Sequence, residues 1–395
     1  MINAKLLELV RSGRVHPLRP LGAFSTLSHR DLFAKRGAVI LRALSSLLPL
    51  AVPSALIAET PGLLEQIKRE LSCGQALCFT RLDLVCPSDA PTAFQLLEVQ
   101  AGDPSAMGWH DALAEAFDEP AALMPSHRRA LEARTRGRRI AFVVVKGSIV
   151  ESDHHLLAEH YARNGWQATV VDPRELRFDG TALLARGEPV DAVFRDAFEE
   201  LFLGEFAPGG AAMLAAARAD AVVVMNPFAA ALADDKALLE PLSTPSRWHG
   251  ELASVLAAHV PCTRVLRERR VDWEGREVDL LDFVRGEREQ LVLKPVDGYG
   301  GFGITVGPFV TSAAWDTALH EALNKPGRYV AQRYHALPHQ QVTQLEGTTQ
   351  EAFIVHSLWF HPELVGAFSR ASLLPVVNVH QGGGLAPVFF RPPFS

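Results

Sequence analysis

Lysine is the scarcest charged residue in this chain: 7 of its 39 basic positions, against 32 arginines. The formal net charge is −6, so there is no basic field of the kind that recruits nucleic acid or an anionic membrane. Cysteine is scarce as well. Cys73, Cys78, Cys86 and Cys262 form no CxxC pair and stand at no zinc-binding spacing with histidine, which predicts free thiols in a reducing compartment. Long apolar runs are missing too. The longest, Ala43 to Ala58, is interrupted by Pro49, Pro53 and serines and is too short for a membrane span. The opening MINAKLLELVRSGR carries charge through its apolar stretch and offers no secretory h-region, so a cytoplasmic location is expected. What is present, 48% hydrophobic and 21% charged residues, is the composition of a globular chain rather than a disordered, collagen-like or disulfide-scaffold one.

The periodicity predicts a mixed α/β fold. KLLELV, DLFAKRGAVILRALSSLLPL and GLLEQIKREL are apolar at helical spacing through about residue 75, whereas ALCFTRLDLVC and FQLLEVQ read as two strands around the turn-rich PSDAPTA. A helical DALAEAFDEPAALM and a basic stretch complete a first segment, 1–137. Strands and helices then alternate from RIAFVVVKG to DAVVVMNP, which predicts a small parallel α/β unit over roughly 138–228, within a segment that ends near 245. Residues 246–330 read as helix, strand, glycine loop and strand, and 331–395 as mostly strand.

The most informative stretch is LVLKPVDGYGGFGITVG, residues 291–307. Gly298, Gly300 and Gly303 satisfy G-x-G-x-x-G, but Ile-Thr-Val-Gly follows, so the loop returns as a strand and does not open the helix that a dinucleotide fingerprint requires. A strand–glycine loop–strand hairpin suits another task. Glycines at 298, 300, 301 and 303 let backbone N–H groups approach phosphate oxygens, and the hairpin, with Tyr299 at its tip, can fold over a nucleotide. Lys294 lies on the strand entering the loop, where its ammonium meets the same phosphates, and Asp297 stands where a carboxylate can hold Mg²⁺. Glu98 and Gln100, two apart on a strand, point to one face and form a second oxygen-donor pair for Mg²⁺. His154, His155 and His160 are expected on a surface helix, and neither they nor His380 pair with a nucleophile.

LVLKPVDGYGGFG resembles the phosphate-covering loop of ATP-grasp ligases, and in particular the circularly permuted branch of eukaryotic-type glutathione synthetases and glutathionylspermidine-synthetase-like proteins. The resemblance runs over roughly residues 78–390 in matching order. It implies a circularly permuted ATP-grasp fold with an inserted parallel α/β substrate domain and a glycine-loop lid. RLDLVCPSDAPTAFQLLEVQ is similar to an Arg-x-Asp strand followed by a Glu-x-Asn strand. Arg81 then matches a substrate-binding arginine and Glu98 a magnesium ligand, and Gln100 replaces the usual asparagine. DAVFRDAF resembles the strand ending in Phe-Arg-x-x-Tyr, which makes Arg195 a substrate arginine and substitutes Phe198 for the tyrosine. In MNPFAAALADDKALLEPLS, Lys236 matches a second phosphate lysine. RYVAQRYH resembles the adenine hinge, with Ala331, Gln332, Arg333 and Tyr334 as its candidates. GAFSRASLLPVVNVHQGGG resembles the final arginine strand and loop, which makes Arg370 a substrate arginine and sets Asn378, Gly382, Gly383 and Gly384 near substrate or phosphates. The nucleotide lysine that glutathione synthetases carry near that arginine is missing.

The resemblance implies an ATP- and Mg²⁺-dependent ligase, and these residue types fit that chemistry. Phosphorylation turns a carboxylate, a poor electrophile, into one with a good leaving group, and an amine then attacks. The expected substrates are a small carboxylic acid and an amine, with no nucleic-acid or membrane partner; a homodimer is a family expectation. The same residues also serve a kinase-like phosphotransferase or a nucleotide-binding regulatory protein without catalysis.

Overall fold

The computed structural model describes residues 4–12, 14, 25–27, 29–74, 76–196, 198, 200–343 and 348–390. A seven-stranded sheet is assembled from both ends of the chain. Its order is Ser25–Leu27, Gly384–Phe390, Glu363–Ser372, Thr349–His361, Thr80–Val85 and Gln95–Gln100, with His339–Thr343 paired to Thr349–His361. All neighbours are antiparallel except Ser25–Leu27 beside Gly384–Phe390.

Strand alternation divides this sheet into an apolar and a polar face. Leu82, Leu84, Leu358, Phe360 and Ala367 point one way and pack with Ile40 and Leu44 of the helix Arg30–Leu47. Helix and sheet touch so closely at Gly37 that a Cβ there would stand 2.2 Å from Cζ of Phe360. The other face collects Arg81, Asp83, Glu98, Gln100, Ser357 and Arg370. The register places Arg81 opposite Gln100, Asp83 opposite Glu98, and Ser357 opposite Asp83.

The second sheet is parallel, in the order Val223–Met225, Ala192–Arg195, Arg139–Val143, Gln167–Val171. The helices Glu151–Arg163 and Ala207–Arg218 belong to the same stretch of chain. An antiparallel meander, Leu176–Phe178, Leu183–Ala185 and Glu188–Val190, interrupts the alternation. Asn226, fully buried, ties this unit to the main sheet: its amide donates to Phe79 O at 2.8 Å and Ala101 O at 2.6 Å and accepts from Phe79 N at 3.0 Å. The Met225–Asn226 peptide is cis.

The third sheet, Thr263–Val265, Tyr329–Arg333, Leu291–Pro295 and Thr305–Val306, is antiparallel and holds the glycine loop between its last two strands. Trp273, Leu280, Trp315 and Leu293 form its core.

Several expectations need correction. DALAEAFDEPAALM is not one helix but parts of two, Met107–Ala116 and Leu123–Glu132. The Asp111 carboxylate ends the ambiguity by accepting from the N–H groups of Ala122, Leu123 and Met124 at 3.0, 3.1 and 2.7 Å, which satisfies the donors that open the second helix. The segment boundary at 330/331 falls inside the strand Tyr329–Arg333, whose hydrogen bonds keep residues 331–333 in the glycine-loop sheet. His154 is not on a surface face: it is buried against Phe194, and burial lowers its pKa to about 4.

Candidate active site

Two adjoining cavities lie where the three sheets meet, one of about 520 Å³ and one of about 90 Å³. Gly298, Arg370 and Asn378 line both. The larger falls within the roughly 300–1,000 Å³ typical of ligand sites; the smaller is below that range, so a ligand there requires the loop above it to lift.

The polar face of the main sheet supplies the floor. Asp83 is fully buried and joins three groups: it pairs with Arg370 Nη2 at 2.6 Å and Arg81 Nε at 3.1 Å, and it accepts from Ser357 Oγ at 2.6 Å. Burial by itself would raise its pKa. The Arg370 and Arg81 guanidiniums, with the Ser357 hydroxyl, outweigh that and hold the carboxyl well below the usual carboxylate range.

Arg81 has little left for a substrate. Besides Asp83, it donates to Ser105 O at 3.1 Å and to Gln100 Oε1, and its guanidinium lies 5.8 Å from the Trp359 ring centroid and 5.6 Å from that of Phe368. Arg370 is different: its Nε is buried without a partner while the side chain lines both cavities.

The lysines enter from different elements. Lys236 opens a short 3₁₀ turn, Lys236–Leu238, whose preceding Asp235 accepts from Ala237 N at 2.8 Å. Its ammonium reaches Gly298 O at 2.7 Å and Glu98 Oε2 at 3.3 Å. Lys294 comes up from the strand below the loop, donating to Gln332 Oε1 at 2.7 Å and Leu97 O at 3.1 Å. Burial lowers its pKa to about 8; nearby Lys236 acts in the same direction, while Glu98 and Asp83 oppose it.

The glycine loop is folded down onto the tail. Gly300, Gly301 and Gly303 have φ of 64°, 76° and 72°, backbone that glycine adopts without strain. A Cβ on Gly301 would meet Val376 Cγ1 at 2.7 Å and Gln381 Nε2 at 3.0 Å. Tyr299, at the tip, lines the larger cavity.

The remaining candidates divide. Gln332, Arg333 and Tyr334 line the smaller cavity; Ala331 does not, because it is paired on both sides within its sheet. Asn378 lines both cavities, but Gly382, Gly383 and Gly384 line neither: Gly382 and Gly383 turn the chain back on Asn378 and Val379, and Gly384 starts the final strand. Gln100 gives its amide oxygen to Arg81 and its NH₂ to Glu98 Oε1 at 3.2 Å, so it orients Glu98 instead of presenting a free ligand oxygen. Asp297 is held by Arg328. No group of three or more His, Cys, Asp or Glu side chains suited to a metal ion occurs among the described residues.

Arg195 does not line either cavity. It is fully buried, donates to Pro227 O at 3.2 Å and lies 4.8 Å from the Phe198 ring centroid and 5.5 Å from that of Phe228. The residues missed from sequence are acidic: Asp103, Asp196 and Asp234 all line the larger cavity. They come from three distant segments, and no spacing signal links them.

The model of a family described as circularly permuted ATP-grasp type 2 matches residues 146–356, just over half of the chain. The chain belongs to that family. Among curated relatives, an uncharacterized protein of Mycobacterium bovis is 30% identical over 212 residues, covering 49% of this chain and 36% of that protein. A Frankia alni protein provisionally named glutamate–cysteine ligase 2-3 is 28% identical over 253 residues, covering 59% of this chain and 27% of its own length. The chain thus spans about a third or less of the length of these relatives. A solved structure, a glutathione synthetase-like effector of Globodera pallida in its apo form, superposes with a TM-score of 0.56 over 98% of this chain and 97% of that one, at 11% identity. At that identity the likeness is one of fold, and it agrees with the permuted ATP-grasp architecture in which N-terminal strands complete a C-terminal sheet. No helix among the described residues is long and apolar enough to cross a membrane.

Proposed function

We propose that the protein is an ATP-dependent carboxylate–amine ligase that acts through an acyl phosphate and releases ADP and phosphate. The observation that carries this reading is the meeting of Lys236, Lys294 and Glu98 beneath the glycine loop, next to the Asp83–Arg370 pair. Two ammonium groups in a buried site are costly unless an anion is to be received there. A polyphosphate is that anion, and the lysines stabilise charge on the phosphoryl group as it moves.

The donor set fits a magnesium ion, since Glu98 and Asp297 are hard oxygen donors and Mg²⁺ uses few protein ligands. When bound, such an ion neutralises phosphate charge. Glu98 is its principal ligand, oriented by Gln100; Asp297 serves once Arg328 releases it.

Arg370 holds the carboxylate that becomes the electrophile, using the buried Nε that has no partner in the protein. Arg81 acts through Asp83, keeping that carboxylate ionised and Arg370 in place. The glycine loop closes over the small cavity and excludes water, which protects an acyl phosphate from hydrolysis. Gln332, Arg333 and Tyr334 offer the adenine side of that cavity.

The test is to incubate the protein with ATP, Mg²⁺ and a panel of amino acids, small peptides and amines. Release of ADP and phosphate that requires both an acid and an amine is expected. Release of AMP and pyrophosphate, or accumulation of a stable phosphorylated product with no need of an amine, would overturn the reading.

A further inference from the structure

Lys236 and Glu98 meet beneath the glycine loop from distant parts of the chain, and their spacing depends on how those parts are joined. The strand Gln95–Gln100 carries Glu98 and runs directly into Ala101 and Gly102. The 3₁₀ segment Phe228–Asp234 runs directly into Asp235 and Lys236. Asp234 fastens one end to the other. Its Oδ1 accepts from Ala101 N at 2.6 Å and Gly102 N at 3.2 Å, and its Oδ2 accepts from Gly102 N at 3.1 Å. The carbonyl of Ala101 is held as well, by Asn226 Nδ2 at 2.6 Å, just ahead of the same 3₁₀ segment.

This grip needs glycine at position 102. A Cβ there would stand 2.5 Å from Asp234 Oδ2 and 3.1 Å from Ala231 Cα. The backbone of Gly102 is not left-handed, so the glycine serves close approach and not an unusual torsion angle.

On its other side the segment is tied to the glycine loop. Lys236 N donates to Val296 O at 2.9 Å, at the loop entrance, and Lys236 Nζ donates to Gly298 O at 2.7 Å. Asp235 caps the turn between them by accepting from Ala237 N at 2.8 Å. The short run from Asp234 to Lys236 is therefore clamped between the end of the Glu98 strand and the loop. Among the described residues Asp234 makes no ion pair, and its carboxylate is spent on backbone N–H groups.

We infer that Asp234 is a positioning residue: by accepting from Ala101 N and Gly102 N it sets the spacing between the Lys236 ammonium and the Glu98 carboxylate at the nucleotide phosphates. It works as a hydrogen-bond acceptor, through Lys236, and touches no reacting atom. The inference rests on the phosphate role that the ligase reading gives Lys236, and adds the residue that holds that lysine in place.

The test is a calorimetric titration of the full chain at pH 8 with Mg²⁺ and the β,γ-methylene analogue of ATP, which reads binding without turnover. Lys236→Met and Asp234→Ala are each expected to weaken binding about tenfold or more. Asp234→Asn keeps an acceptor oxygen for Ala101 N and should stay within about threefold of wild type. In the double variant Lys236→Met/Asp234→Ala the losses should not multiply. Its affinity should lie within about twofold of Lys236→Met alone, because a residue acting through the lysine has nothing to act on once the lysine is gone. If Asp234→Ala does not fold, Gly102→Ala bears the comparison, since its Cβ displaces the carboxylate. The inference is overturned if Asp234→Asn is as damaging as Asp234→Ala, which would give the role to the charge. It is equally overturned if the two losses multiply, or if the folded alanine variant binds as wild type does. Its failure is separable from that of the ligase reading. Coupled losses in binding without amine-dependent ADP release leave Asp234 in its role and the reaction wrong; amine-dependent ADP release with losses that multiply does the reverse.

Discussion

Replacing Lys294 by methionine separates stability from activity, and the structure sets the size of each effect. The Lys294 ammonium is buried, with Gln332 Oε1 at 2.7 Å and Leu97 O at 3.1 Å, and its pKa falls from 10.5 to about 8. At about 1.36 kcal/mol per pH unit, that fall is a penalty of roughly 3 kcal/mol on the charged form in the folded state. The penalty is fully present below pH 8, fades between about 8 and 10.5, and is gone above the unfolded value. Wild-type stability should therefore gain about 3 kcal/mol on Lys294→Met as pH rises from 7 to 10.5. At pH 7 the methionine escapes the charge penalty but leaves Gln332 Oε1 without its donor, a loss of about 1–3 kcal/mol. The two nearly cancel, so the variant stays folded. Turnover of ATP should nonetheless fall about a hundredfold, since loss of one transition-state charge contact costs on the order of 3 kcal/mol. The scarcity of lysine makes the assay direct. With only seven lysines, a ¹³C-lysine NMR titration should show one resonance moving near pH 8, absent in Lys294→Met, and urea unfolding at pH 7, 8.5 and 10 should give the stability difference. If every lysine titrates above pH 10, or the difference is flat with pH, the burial argument is wrong. If the folded variant keeps near-normal turnover, the phosphate role is wrong.

Asp83→Asn should destabilise the protein by about 3–5 kcal/mol, because it leaves Arg81 and Arg370 buried without their counter-ion; an unchanged urea midpoint would refute that coupling. Gly301→Ala adds a Cβ at φ 76° that would stand 2.7 Å from Val376 Cγ1, and left-handed backbone costs alanine about 1–2 kcal/mol. The loop should then seat poorly, weakening ATP binding about tenfold in a calorimetric titration while the thermal midpoint moves little. Asn226→Ala removes the three hydrogen bonds that join the small sheet to the main one. Each buried group left unsatisfied costs about 1–3 kcal/mol, so scanning calorimetry should show a clear fall in the melting temperature, and no fall would mean that the amide bridge contributes nothing.

Much of the site was legible because its chemistry is local. The strand–glycine loop–strand pattern needs only glycine's freedom and flanking β-formers, and it located Lys294, Gly298 and Gly301 where the structure has them. Alternation along EVQ placed Glu98 with Gln100 on one sheet face, while Arg81 came from the resemblance and its pairing with Asp83 from the structure. The resemblance supplied Lys236, which no spacing ties to a loop sixty residues later, yet its ammonium bonds to Gly298 O.

What the sequence determined by itself was periodicity, the identity of turn residues and the rarity of lysine, all of which follow from neighbours along the chain. Only the tertiary structure decided how each polar group spends its hydrogen bonds. It committed Arg81 to Asp83, Ser105 and Gln100, turned Arg195 inward beneath Phe198, and left Arg370 with a donor to offer. It also brought Asp103, Asp196 and Asp234 from three segments to the lining of one cavity. Burial and partner geometry depend on groups distant in sequence, so whether a charge braces the fold or faces a ligand cannot be read before the chain is folded.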